Sequence, residues 1–344
     1  MLVTDLKKIE IELSNRCNAR CPGCARTLKG ETHPDLQLND INLDQYKKIL
    51  PSKEYIENKE IYYCGVLGDP LVNPKFYEIC EYTLSMNPNV ITVSTNGGLR
   101  SKEYWARLGT LSSTNAQTLE ISFAVDGFET TNHIYRVGVN WNKLVENMTA
   151  YSNAGGLGVW VYNPFDHNLD DIDKAKKLAN TLGFKFRIQL TSQYIRELSH
   201  NVINKKTKET INKISLTNEK YRHPEDVNKK TITKNYNLNI KCKLVHDKEI
   251  YIGADYQMWP CCYLYDEWAN LSTTGRKGLI EKFSKYGDKW NDLLTHDIQE
   301  ILNHKWYSQV LENSWNQKHP MFIERCQKTC NHFGKNAVIY KEIT

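Results

Sequence analysis

The chain has 344 residues, with 45 basic and 40 acidic side chains, a formal net charge of +5 and ten cysteines. That length allows one large barrel with an appendage or two to three domains, and makes disulfide stapling unnecessary. The charge is too weak to point to nucleic acid, the N-terminus "MLVTDLKKIEIELS" lacks the apolar run of a signal peptide, and no stretch approaches about 18 apolar residues. A cytoplasmic protein with reduced thiols and no membrane partner is expected, and clustered cysteines in that setting point to metal or redox work.

Six apolar or alternating runs separated by helical patterns predict strand-helix units on a parallel sheet. In chain order they are "IEIEL" at 9–13, "EIYYC" at 60–64, "VITVS" at 90–94, "LEISFAV" at 119–125, "GVWVY" at 158–162 and "FKFRIQL" at 184–190. Asn73 with Pro74, Ser101 and Asn140 supply helix starts; Gly155, Gly156 and Gly183 supply stops. After each strand comes polar or glycine-rich sequence: the cysteine loop, "GVLGDP", "TNGG", "DG", "NPFDHN" and "TSQ". Barrel enzymes build their sites from such loops.

The first loop, "CNARCPGC", places Cys17, Cys21 and Cys24 together and supplies no fourth cysteine within reach. Structural zinc and ordinary iron-sulfur sites are closed by four ligands, so three leave one coordination position open, which points to chemistry. Residues 200–243 carry 11 Lys/Arg against 4 Asp/Glu, a local +7, and read as a solvated connector or as a surface for an anionic partner. Five further cysteines, Cys242, Cys261, Cys262, Cys326 and Cys330, follow it. Cys64 and Cys80 sit in apolar strand and helix contexts and read as core. His133, His167 and His246 are acid/base candidates in principle, with a structural role the simpler reading.

The C-x3-C-x2-C spacing after a first strand resembles the radical S-adenosylmethionine (SAM) superfamily. The resemblance implies a partial (β/α)6 TIM-type α/β barrel over residues 1–195, a connector over 196–241, and a small C-terminal α+β iron-sulfur domain over 242–344. It implies a 4Fe-4S cluster on Cys17, Cys21 and Cys24 whose open iron takes SAM, with Gly23 where the family often has an aromatic residue. "GVLGDP" resembles the stretch that holds the SAM amino group, through Gly68, Asp69 and Pro70, with Asp69 in place of the usual Glu. "VSTNGG" offers Ser94 and Asn96 to the ribose, and "ISFAVDGFETTNHIYRVG" offers Ser122 and Arg136 to the methionine carboxylate. The C-terminal cysteines resemble the twitch form of a SPASM appendage. This implies a second, auxiliary 4Fe-4S cluster on Cys242, Cys261, Cys326 and Cys330, with Cys262 left as a buried thiol and Tyr256 where the family has glycine.

By the same resemblance, SAM is reductively cleaved to a 5′-deoxyadenosyl radical that abstracts a substrate hydrogen, leading to oxidation or modification of a small molecule or peptide. Flavodoxin or ferredoxin is the kind of reducing partner implied. The first strand begins near residue 9, so a peptide-modifying maturase is expected to work with a separate carrier. The alternative of a different class is a non-enzymatic zinc-stabilised RNA-binding protein, using the three N-terminal cysteines with His33 and the basic segment.

Overall fold

Strands form where the apolar runs stand. The computed structural model describes residues 1–116, 118–191, 199–222, 240–271, 275–330 and 338–342. Six parallel strands follow in chain order: β1 (Lys8–Ile11), β2 (Glu60–Tyr63), β3 (Val90–Thr95), β4 (Leu119–Ala124), β5 (Leu157–Tyr162) and β6 (Lys185–Thr191). They pair in that order, as expected for a partial (β/α)6 barrel. Between them run helices α1 (Leu43–Ile49), α2 (Phe76–Ser85), α3 (Lys102–Thr114), α4 (Trp141–Asn153) and α5 (Ile172–Thr181).

The local signals act largely as read. Ser101 and Asn140 cap α3 and α4 by accepting the backbone N–H of Tyr104 and Lys143. Gly155 and Gly183 end helices at φ +81° and +68°, a region glycine enters without penalty. Asn73 departs from expectation. Pro70 opens a separate turn, Pro70–Val72, and α2 begins only at Phe76. Asn73 Oδ1 still accepts the Lys75 N–H (2.8 Å) at the entry to α2, while its amide donates to the carbonyls of Leu13 (2.7 Å) and Ile41 (2.8 Å), tying the chain after β2 to the exit of β1.

The sheet continues past the six strands. Part of the basic segment forms an antiparallel hairpin of β7 (Ser199–Ile203) and β8 (Thr210–Ser215). Ser192 and Gln193 of the loop after β6, and residues 223–239, lie outside the described residues. Further on come β9 (Glu249–Ile252), β10 (Met258–Trp259) and β11 (Val338–Glu342), with helices α6 (Cys262–Ala269), α7 (Gly275–Phe283), α8 (Ile298–Asn303) and α9 (Glu324–Cys330). Strand β9 pairs parallel to β1, and β11 pairs antiparallel to β6, giving one nine-stranded sheet whose order is β10-β9-β1-β2-β3-β4-β5-β6-β11. Pairing at both edges of the six-stranded unit covers backbone groups that would otherwise stand open.

The C-terminal region has its own aromatic core, in which Trp259, Phe283, Trp290 and Trp306 meet edge to face or stacked. Tyr256, in the turn before β10, takes φ +67°, the conformation a glycine would adopt more cheaply. Its hydroxyl accepts from Gln45 Nε2 at 3.1 Å, so the larger residue gains a bond between the turn and α1.

Helices α3 and α4 approach closely at Gly109, where an added Cβ would stand 2.4 Å from the Tyr151 carbonyl oxygen and 2.9 Å from the Ala154 Cβ. G109V should lower stability by about 1–3 kcal/mol despite the better helix propensity of valine, read as a lower urea midpoint. An unchanged midpoint would show that the helices can separate at no cost.

Candidate active site

The site begins where β1 ends. The loop turns on itself, with Cys24 N–H donating to the Cys21 carbonyl (3.1 Å) and Ala19 N–H to the Cys17 sulfur (3.3 Å). Cys17, Cys21 and Cys24 all line one cavity of about 650 Å³ at the C-terminal ends of the strands. Burial pushes the Cys17 thiol up to about 12 and raises Cys21 as well, so these two are neutral in the metal-free chain and would release protons on ligation. Gly23 lies under the β7 hairpin, where a Cβ would fall 2.7 Å from His200 Nε2. A side chain at this position would require the His200 ring to move aside.

Three buried carboxylates hold the surrounding loops. Glu12 accepts the N–H groups of Leu67 (2.7 Å) and Gly68 (2.9 Å), fixing the loop after β2 against β1. Gly68 presses so closely on this strand exit that a Cβ would stand 1.8 Å from the Ser14 carbonyl oxygen. Asp69 accepts from Leu71 N–H, the Thr95 hydroxyl, Asn96 N–H and the Asn96 amide at 2.7–3.0 Å. That carboxylate is turned into the protein and joins the loops after β2 and β3. Asn96 also donates to Asn18 Oδ1 (2.8 Å) and reaches the Cys17 sulfur at 3.6 Å. Asp126, after β4, accepts from Asn163 N–H (2.7 Å) and pairs with the Arg136 guanidinium, whose Nη1 lies 3.8 Å from the Cys21 sulfur.

Gly23, Gly68, Asp69, Ser94, Asn96 and Arg136 therefore share the cavity with the three cysteines. Pro70 is fully buried as the first residue of its turn, and Ser122, half-buried and opposite Ser94 in the sheet, is not among the lining residues. Arg136 meets Asp126 and Cys21, so a ligand carboxylate would share a guanidinium already engaged.

The far wall comes from the C-terminal region, through Cys262, Tyr263, Asp266, Asn270 and Arg325. Cys242, Cys261, Cys326 and Cys330 are brought within electrostatic reach of one another behind this wall. Burial raises the Cys261 and Cys326 thiols well above the ordinary range. Cys262 departs from the expected buried thiol: it is half-buried, lines the cavity and lies beside Glu10 and Lys243. Cys64 likewise lines the cavity, whereas Cys80 is core as expected. His133, His167 and His246 are not lining residues; His200 is. No sequence signal marked His200, and the roles of Glu12 and Cys64 were masked by their apolar strand surroundings.

Among the described residues, no three His, Cys, Asp or Glu side chains converge as a single metal ion would require. Each thiolate of a cuboidal cluster meets a different iron, and the three thiols of Cys17, Cys21 and Cys24 on one cavity supply that donor set with a fourth position open. Also among the described residues, no helix is long and apolar enough to cross a membrane.

No family model matches the chain. It has the fold of radical SAM enzymes. SuiB from Streptococcus suis superposes with a TM-score of 0.52 at 12% identity, covering 89% of this chain and 67% of that one. The anSMEcpe enzyme with bound AdoMet and Cp18Cys peptide superposes with a TM-score of 0.51 at 12% identity, covering 94% of this chain and 88% of that one. The tungsten-containing aldehyde ferredoxin oxidoreductase cofactor-modifying protein of Pyrococcus furiosus is 28% identical over 106 residues, which span 31% of this chain and 28% of that protein's length.

Burial pushes the Glu12 carboxyl up to about 7, with Asp255, itself raised by burial to about 6, and Tyr265 facing it from the C-terminal region. A carboxyl raised in the folded state stabilises it when protonated, so the contribution of Glu12 is full below about pH 4.5 and falls by up to about 3 kcal/mol as pH rises through 7. The permanently neutral E12Q should lack that decline in urea midpoints taken from pH 4 to pH 8. Identical slopes for the two proteins would mean that ionising Glu12 carries no penalty.

Proposed function

We propose that the chain is a radical SAM enzyme that abstracts a hydrogen from a small molecule or peptide, oxidising or otherwise modifying it. The observation that carries this reading is the sharing of one cavity by the three cysteines, the Gly68–Asp69 loop and Asn96, beneath a wall that bears a second group of four thiols. When bound, a 4Fe-4S cluster on Cys17, Cys21 and Cys24 together with SAM supplies one-electron cleavage to a 5′-deoxyadenosyl radical. The protein's part is positioning. Glu12 and Asp69 pre-set the loop whose backbone would meet the SAM amino group, and Ser94 would offer its hydroxyl to the ribose beside Asn96, whose amide N–H groups are already given to Asp69 and Asn18. The far wall would shield the reacting carbon from water and foreign hydrogens.

Cys242, Cys261, Cys326 and Cys330 would hold an auxiliary 4Fe-4S cluster able to take an electron from the substrate or relay one inward, with flavodoxin or ferredoxin as donor. Four protein ligands favour electron transfer over substrate ligation. A peptide is the favoured substrate, because a structure superposing over most of both chains holds a peptide beside AdoMet.

Anaerobically purified protein should carry about eight irons and eight sulfides per chain. The C17A/C21A/C24A variant should keep about four irons and make no 5′-deoxyadenosine under dithionite. Stoichiometric zinc without sulfide, or product from the triple variant, would defeat the proposal.

Within the adjacent pair, C261A should lose about four irons and C262A should keep them. The reverse result would move the ligand to Cys262, and full iron in both would remove the auxiliary cluster.

A further inference from the structure

We infer that Arg26 supplies the positive charge that balances the thiolates of the N-terminal cysteine loop and thereby sets the reduction potential of the cluster bound there. The inference rests on the proposed function and assigns a role to a residue that nothing in the loop's spacing singles out.

Arg26 stands two residues after Cys24 and is 3% exposed. A guanidinium does not deprotonate in proteins, so a full charge is buried here. Its hydrogen-bond partners are neutral: Nη1 donates to the Thr32 hydroxyl at 2.5 Å and Nη2 to the Ala19 carbonyl. Nε is buried with no partner, and no ion pair among the described residues includes Arg26. Two half-buried cations nearby are treated differently. Arg136 is paired with Asp126, and Lys243 lies 2.5 Å from Glu249 and 3.6 Å from Glu10. An uncompensated interior charge is costly, so Arg26 calls for an anion that the described residues do not provide.

Location identifies that anion. Arg26 lines the same cavity as Cys17, Cys21 and Cys24, and its bond to Ala19 grips the loop between the first two cysteines. A cluster held by three thiolates is the negative group for which this loop is shaped. A fixed cation in the wall of the same cavity favours the more electron-rich state, so Arg26 makes the bound cluster easier to reduce by one electron.

The test follows the SAM-responsive electron paramagnetic resonance signal of the reconstituted enzyme during a redox titration, with iron content measured alongside. R26Q, which keeps a polar group but loses the charge, should retain its iron and show a more negative midpoint potential than wild type. R26K, which keeps the charge and loses the fork, should stay near wild type. An unchanged midpoint in fully loaded R26Q, or an equal shift in R26K, overturns the inference. If R26Q fails to hold iron while R26K holds it, the charge is what the loop requires and the inference stands; if both fail, the bonds to Ala19 and Thr32 are the whole role and it falls. Wild-type protein without iron or sulfide would instead defeat the proposed function, so the two failures are distinct.

Discussion

Strand β1 is hydrogen-bonded on both sides, to β2 and to β9, and the site depends on that double pairing. The register sets Lys8 opposite Glu249 on one side and Glu60 on the other, so β9 cannot slip without moving its side chains to the wrong face. Between β1 and the C-terminal region two buried anions, Glu10 and Glu249, meet two half-buried cations, Lys8 and Lys243, with contacts of 2.5–3.7 Å. Such a group adds little net stability over apolar packing, but losing one member strands a buried charge. It therefore enforces one docking of the C-terminal region over the strand that leads into the cysteines.

From that strand the order spreads by carboxylates that accept backbone N–H groups. Glu12 and Asp126 stand just beyond a strand end and Asp69 within the loop after β2, and each binds the next loop over. Ordering loops in this way moves the entropic cost of a defined cavity into folding, so it need not be met when a ligand arrives. The short side chain of Asp69 reaches Leu71, Thr95 and Asn96 at once, a set of contacts within one residue's span of the backbone.

The parallel six-stranded unit was legible because its strands are apolar or alternating runs and α3 and α4 open on a capping side chain. The cysteine loop was legible because spacing of soft ligands is a local property. What escaped was non-local. Nothing near "EIYI" at 249–252 says that it adds to β1, and nothing near His200 says that it closes on Gly23. Asn73 was only half legible because a residue that can cap a helix can equally bond carbonyls distant in sequence, and its oxygen and its amide divide the two roles. Cys64 read as core from its neighbours, yet it closes β2 at the cavity, where a strand end faces the loops.

The adjacent pair Cys261 and Cys262 shows how one backbone serves two places. Cys261 is extended, at φ −172° and ψ 161°, and Cys262 is the first residue of α6. Successive side chains leave an extended backbone on opposite sides, so the two thiols diverge. Cys261 turns to Cys242, Cys326 and Cys330, while Cys262 faces the cavity beside Glu10 and Lys243. Rotating α6 to exchange them would pull Tyr265 of the same helix away from Glu12 and Asp255, and so loosen the brace on the Leu67–Gly68 loop. The position of one thiol in the C-terminal region is thereby tied to the geometry of the loop after β2.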